Sequence, residues 1–179
     1  MTEEQDYQVV IRYPGFEVRH YPEHVVAEIE VSGSFEAAGN AAFRPLASYI
    51  GGANESNAGI SMTAPVVQRA PSEQPATVSE TEDGAHVIAF VLPSTIAATG
   101  APAPADPRVR IRVVPEEQAA VASYSGRWTE HSYRKHVDEL VAAMADVGLA
   151  PGGPPRFARF DPPWKPWFAR RNEVVIPVA

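Results

Sequence analysis

The feature that most constrains this chain is an internal repeat. Residues 18–35 laid over residues 111–128, an offset of 93, match at Arg19/Arg112, Pro22/Pro115, Glu23/Glu116, Ala27/Ala120, Ser32/Ser125 and Gly33/Gly126. Val18 with Ile111 and Phe35 with Trp128 add conservative pairs. Both stretches spell the same order: strand, Pro-Glu turn, strand, Ser-Gly turn, helix. Each half then closes on an apolar run ending in proline, Phe90-Val91-Leu92-Pro93 and Val174-Val175-Ile176-Pro177. A unit that cannot bury its own apolar face and occurs twice predicts two pseudo-symmetric copies covering each other, residues 7–93 and 108–178. A length of 179 residues suits one domain spanning 1–179, whereas two domains would each be marginal.

Local patterning fills in the unit. Phe16, Val18, Val25, Ala27, Ile29 and Val31 recur with period two, with Glu17, Arg19, Glu28 and Glu30 between them, which predicts a half-buried hairpin over 16–31 with the charges outward. Ser34 is placed to cap a helix whose apolar stripe is Phe35, Ala38, Ala42, Leu46 and Tyr49, and Gly51-Gly52 end it. Pro45 falls inside that helix and predicts a kink. Thr129 is placed to cap a second helix with the stripe Tyr133, Val137, Leu140, Val141 and Met144, stopped at Gly148. Further strands are expected near 59–68, 86–92, 108–114, 118–125, 156–160 and 172–178. Residues 69–84 read as a mobile acidic loop and 94–107, rich in Ala and Pro, as the link between copies.

Several function classes recede on composition. Net charge is −7, against general nucleic-acid binding. The charge is uneven, −10 over residues 1–107 and +3 over 108–179, so the second half is the better host for an anionic group. There is no cysteine, which removes disulfides, thiolate metal sites and thiol nucleophiles and fits a reducing compartment. Neither a leader-like apolar start nor a run of about 18 apolar residues is present, so a cytoplasmic location away from membranes is expected. No phosphate-cradling glycine loop, Gly-x-Ser-x-Gly or His-Glu-x-x-His occurs, and Glu17, Glu28 and Glu30 read as a solvated face rather than a general acid pair.

Four segments in register carry a resemblance: Phe16-Glu17-Val18-Arg19-His20-Tyr21, Tyr49-Ile50-Gly51-Gly52-Ala53-Asn54, Ile60-Ser61-Met62-Thr63-Ala64-Pro65-Val66, and Phe160-Asp161-Pro162-Pro163-Trp164 leading to Arg170-Arg171-Asn172-Glu173-Val174. Together they resemble the SOUL haem-binding protein family over residues 14–178. The resemblance implies an α+β fold, a distorted antiparallel β-barrel of about eight strands flanked by two helices with internal pseudo-twofold symmetry, similar to the gyrase-inhibitor-like ligand-binding domains. It also implies binding of haem b or a related flat tetrapyrrole, as a carrier or buffer.

Candidate ligand-binding residues follow. His20 continues the inward phase of Phe16 and Val18 where the second copy has Val113, an out-of-pattern imidazole. It reads as a hydrogen-bonded or water-facing histidine, or as a metal ligand, and the resemblance makes it the axial haem ligand. Met62, in phase with Ile60 and Ala64, reads as core packing, or as a pocket wall or weak sulfur ligand. Lys165, between Trp164 and Trp167, corresponds to a lysine that the family offers to a haem propionate, while Arg170 and Arg171 are expected to pair with Glu173. Family positions with basic residues on the first helix hold Asn40 and Ser48 here, so that helix presents Phe43, Ala47 and Ile50 as an apolar wall. Two other classes stay open: a small-molecule hydrolase on the gyrase-inhibitor-like scaffold, and a protein-interaction module. No catalytic residue is singled out.

Overall fold

A computed structural model describes residues 2–71 and 84–179. The elements in chain order are β1 (Glu3–Glu4), β2 (Gln8–Tyr13), β3 (Phe16–Tyr21), β4 (His24–Gly33), α1 (Phe35–Ile50), β5 (Thr63–Ala64), β6 (Val66–Arg69), β7 (Gly84–Val91), α2 (Ser94–Thr99), β8 (Arg110–Val114), β9 (Glu117–Tyr124), α3 (Glu130–Asp146), β10 (Arg156–Arg159) and β11 (Asn172–Pro177), with a 3-10 turn over Trp167–Ala169. The acidic loop expected over 69–84 lies, for residues 72–83, outside the described residues.

Nine strands form one antiparallel sheet in the order β2-β3-β9-β11-β10-β6-β7-β4-β8. The expected hairpin over 16–31 does not form. β3 pairs with β2 and β9, whereas β4 pairs with β7 and β8. The turn between β3 and β4 holds only Pro22 and Glu23, and proline, with φ fixed at about −65°, cannot take the positive φ that the first position of a two-residue hairpin turn needs, so the chain crosses to another part of the sheet instead. Pro115 and Glu116 do the same between β8 and β9. Each stretch therefore lends its first strand to the other. Exchanging β3 with β8, β4 with β9, β6 with β10 and β7 with β11, then reversing the order, returns the same order apart from β2.

This crossing fixes the curvature. A two-residue link reaches about 10 Å, yet five strands separate β3 from β4 in the sheet. The sheet must coil steeply to bring those strand ends together. It coils without closing, since no ladder joins β2 to β8, and the expected barrel is thus an open, curled sheet with two edges. Three α-helices accompany it rather than two, α2 being a short helix of 6 residues in the Ala-Pro link.

The outer face carries the long helices. α1 packs Ala38, Ala42, Leu46 and Tyr49 on Val25, Ala27, Ile29, Ile88 and Phe90, while α3 packs Val137, Leu140 and Met144 on Phe16, Val18, Ala120, Val174 and Ile176. Both N-caps act as read, Ser34 Oγ accepting from Ala37 N at 3.2 Å and Thr129 Oγ1 from Ser132 N at 3.2 Å. α1 continues through Pro45. The inner face buries Tyr21, Ala119, Val121, Ala158 and Val175 in one group and Val26, Ala89 and Val91 in another. Because the curled sheet covers this face too, Arg19 and Glu28, expected outward, are buried.

Candidate functional site

The three residues expected to form an apolar wall, Phe43, Ala47 and Ile50, all lie on α1. Gly39, Phe43, Ala47 and Ile50 follow one another at spacings of four, four and three, which places them on one helix face. Phe43 is 53% exposed although its ring lies 5.9 Å from that of buried Phe90, and Ala47 and Ile50 are half-buried. The loop from Phe160 to Arg171 adds further uncovered aromatics, Trp164, Trp167 and Phe168.

A chain of cation–ring contacts ties that loop to α1. The Arg159 guanidinium lies against Gly39, where a Cβ would stand 2.5 Å from its Nη1. It also lies 5.3 Å from the Trp128 ring centre, and Arg170 lies 4.2 Å from the same ring. Trp128 is fixed from behind by its Nε1–H, which donates to Oδ1 of buried Asn172 at 2.7 Å. Arg170 closes the loop by donating to the carbonyls of Lys165 and Pro163 at 2.9 and 2.7 Å. It does not pair with Glu173; Arg171 does, at 3.3 Å.

Lys165 sits in this loop, but its Nζ is 2.7 Å from Asp161 Oδ1. Burial opposes ionisation of Asp161, and its hydrogen bonds from the Arg171 N–H and Lys165 outweigh that, leaving its carboxyl below the usual range. His20 stands elsewhere. Its strand neighbours are Gln8 on β2 and Gln118 on β9, and its Nε2 is 3.5 Å from Glu116, with the side chain 33% exposed. None of these neighbours belongs to α1 or to the 160–171 loop. Met62 is 38% exposed while Ile60 and Ala64 are buried, so it is not core. Residues 58–62 are not a strand, and the alternation that would have buried Met62 has no strand to act on.

The inner face offers little room. Arg19, Tyr21, Tyr7, Arg156, Phe160 and Glu173 enclose a cavity of about 10 Å³, space for one water. Its carboxylate is committed: Glu173 accepts from Arg19 Nη1 and Nη2 at 2.9 and 2.8 Å and from Ser123 Oγ at 3.0 Å. Glu28 is likewise held by Arg69 and Arg112, at 2.9 and 3.2 Å. A larger cleft of about 200 Å³ lies under residues 3–6, between Pro22–Val25 and Val91–Ser94. None of His20, Phe43, Ala47, Ile50, Met62 and Lys165 lines either space. Among the described residues no three His, Asp or Glu side chains gather as a metal site.

The comparisons with known proteins decide the family. The model of the SOUL heme-binding protein family matches residues 2–177. The chain belongs to the SOUL haem-binding family. Relatives include Heme-binding protein 1 of Xenopus tropicalis, 32% identical over 165 residues and matched over 89% of this chain and 81% of that protein. Heme-binding protein 1 of Xenopus laevis is 31% identical over 172 residues, with the same shares covered. Among solved structures, the EcmrR C-terminal domain superposes with a TM-score of 0.68 at 16% identity, covering 97% of this chain and 98% of that one. A hydrolase from Listeria innocua gives 0.65 at 12% identity, covering 95% and 94%. These two share the fold with this SOUL protein.

Sequence reasoning missed Arg159, Gly39 and Trp128. A usable signal existed: Arg159 follows Phe157 in the helix-facing phase of β10, the same out-of-pattern criterion that singled out His20.

Proposed function

We propose that this SOUL protein binds haem or a related flat tetrapyrrole on its outer face, along the Gly39, Phe43, Ala47, Ile50 stripe of α1, as a cytoplasmic carrier or buffer rather than an enzyme. The observation that supports the reading is the exposed aromatic at the centre of that stripe, Phe43, in a chain of this family. A flat apolar ligand gains most from such a wall by excluding water from it. The fit to a macrocycle is partial. The wall and the cationic loop suit an apolar plate with an anionic edge, whereas His20 lies outside them, so axial ligation by His20 would describe a second mode at the end of β3. With no cysteine, thioether attachment is ruled out, and a non-covalent haem b is the form proposed.

The hydrolase reading requires a carboxylate free to move a proton and a substrate cavity beside it. Both buried glutamates are ion-paired, and the cavity beside Glu173 admits a water. The repeat reading, two copies of one unit, rests on the matched positions and on the strand order that survives their exchange.

Titration with haemin tests the proposal. We expect a saturable Soret shift, weakened about 10- to 100-fold by Phe43→Glu, the loss expected on removing one well-buried aromatic contact. His20→Ala is expected to leave affinity within about threefold. No saturable shift, or indifference to Phe43→Glu, defeats the α1 site.

A further inference from the structure

The loop between Phe160 and Arg171 holds Trp164, Trp167 and Phe168 outside the core and outside both cavities. Trp164 is 83% and Phe168 66% exposed, and Trp167 meets Phe168 edge to face at 5.6 Å. Pro163, Pro166 and Ala169 beside them are exposed as well. Water therefore meets an almost wholly apolar tip, the kind of patch that marks an interaction site. The tip is also stiff. Pro162, Pro163 and Pro166 fix their own φ, and Asp161 clamps the loop by accepting from the Arg171 N–H and from Lys165 Nζ.

The backbone of this loop is satisfied from within. The carbonyls of Pro162, Pro163, Lys165, Pro166 and Trp167 accept from Lys165 N, Arg170 Nη2, Arg170 Nε, Ala169 N and Arg170 N, at 3.1, 2.7, 2.9, 2.9 and 3.4 Å. Its three prolines have no N–H to satisfy. A loop that stays in water can leave such groups to solvent, whereas a segment that enters an apolar layer must pair them inside the chain. The N–H groups without an acceptor in the chain are those of Trp164, Trp167 and Phe168, where a lipid interface offers phosphate and ester oxygens. Charge points the same way. Arg127, exposed and 5.1 Å from the Trp167 ring centre, and Arg170, 4.2 Å from that of Trp128, have no carboxylate partner among the described residues. The net charge of −7 does not oppose an anionic surface here, because its excess of acids lies in residues 1–107 and exposed charges more than about 8 Å apart are largely screened at physiological salt.

We propose that residues 162–169 dock this protein on a bilayer that contains anionic phospholipid. Trp164, Trp167 and Phe168 enter the boundary between headgroups and acyl chains, a depth that suits indole because its body is apolar and its edge carries an N–H. Arg127 and Arg170 meet the phosphates. The contact is peripheral, as no helix among the described residues is long and apolar enough to cross a membrane. A protein groove is the poorer occupant: its own amides could serve the loop carbonyls, so nothing would require the loop to pair them internally. Docking needs no ligand on α1.

Flotation of the full chain with vesicles tests this. The wild type is expected to bind saturably to vesicles of equal parts phosphatidylcholine and phosphatidylserine, about 5- to 25-fold more tightly than to phosphatidylcholine alone, the gain from one or two cations at an anionic surface. Brominated acyl chains are expected to quench its tryptophan emission. Trp164→Ala with Phe168→Ala is expected to weaken binding at least about 10-fold and, both side chains being exposed, to keep the wild-type melting temperature. Arg127→Gln is expected to lose about fivefold on the phosphatidylserine vesicles and nothing on phosphatidylcholine. Failure to bind either vesicle, equal binding to both, binding that the double variant keeps, or binding without quenching would overturn the proposal. A wild-type dimer in sedimentation velocity that the double variant converts to monomers would overturn it too, by giving the tip to a second copy.

Discussion

Arg19 and Glu173 come from strands that are not adjacent, β3 and β11, and meet over β9 on the inner face. Their two-pronged contact at 2.8 and 2.9 Å is almost closed to water. Burial disfavours the charge on Arg19, but its hydrogen bonds to Glu173 and Tyr21 outweigh that and hold the guanidinium protonated more firmly than usual. Removing one partner leaves the other buried and only partly matched, Glu173 keeping Arg171 at 3.3 Å. Arg19→Met is therefore expected to lower unfolding free energy by about 3–5 kcal/mol, while Arg19→Met with Glu173→Met recovers most of the loss. Urea denaturation of the two variants checks this. A single variant as stable as the wild type would show that the pair is dispensable. Neither residue was legible as a buried pair, because alternation assigns one face of each strand to solvent, and only the coiling of the sheet closes that face. His20 and Arg159 show the complementary limit: both stand out as polar groups in an apolar phase, yet phase alone cannot say that one ends half-buried beside Glu116 and the other against a helix.

At the scale of elements, α1 and α3 were legible almost residue by residue. Phe35, Ala38, Ala42, Leu46 and Tyr49 are the buried residues of α1, as their spacing requires, and Val137, Leu140 and Met144 those of α3. Their caps were readable because a hydroxyl before a periodic stripe has one obvious task, accepting a bond from an otherwise unpaired N–H. Ser34→Ala is expected to cost about 1 kcal/mol, seen as a lower melting temperature, and Ser34→Asp to restore it. Strand partners were not legible. β3 and β4 are each correctly patterned as strands, but pairing depends on the turn and on distant strands, and the Pro22-Glu23 link carries no hairpin signature. β2 escaped notice for a simpler reason: it is an edge strand with an irregularity between Val9 and Ile11 and mostly exposed side chains, so it has little apolar alternation to read.

For the whole molecule, the repeat pointed to two mutually covering halves, while the interlacing of those halves came only from the pairings. The first half keeps β6, β7 and β4 together under α1, and the second keeps β9, β11 and β10 under α3. Each completes the other with its leading strand. Fragments 1–100 and 101–179, expressed separately, are expected to lack cooperative thermal unfolding alone and to regain it when mixed; a cooperative transition in either fragment by itself would contradict this. The same arrangement has a consequence for synthesis. When the first half leaves the ribosome, the sides of β4 and β6 that will later meet β8 and β10 are bare templates for any extended chain nearby. They stay so until residues 110–159 have been translated. The newborn protein is therefore most prone to aggregate midway through its own production, and a pause just after β7 is the worst place to slow it.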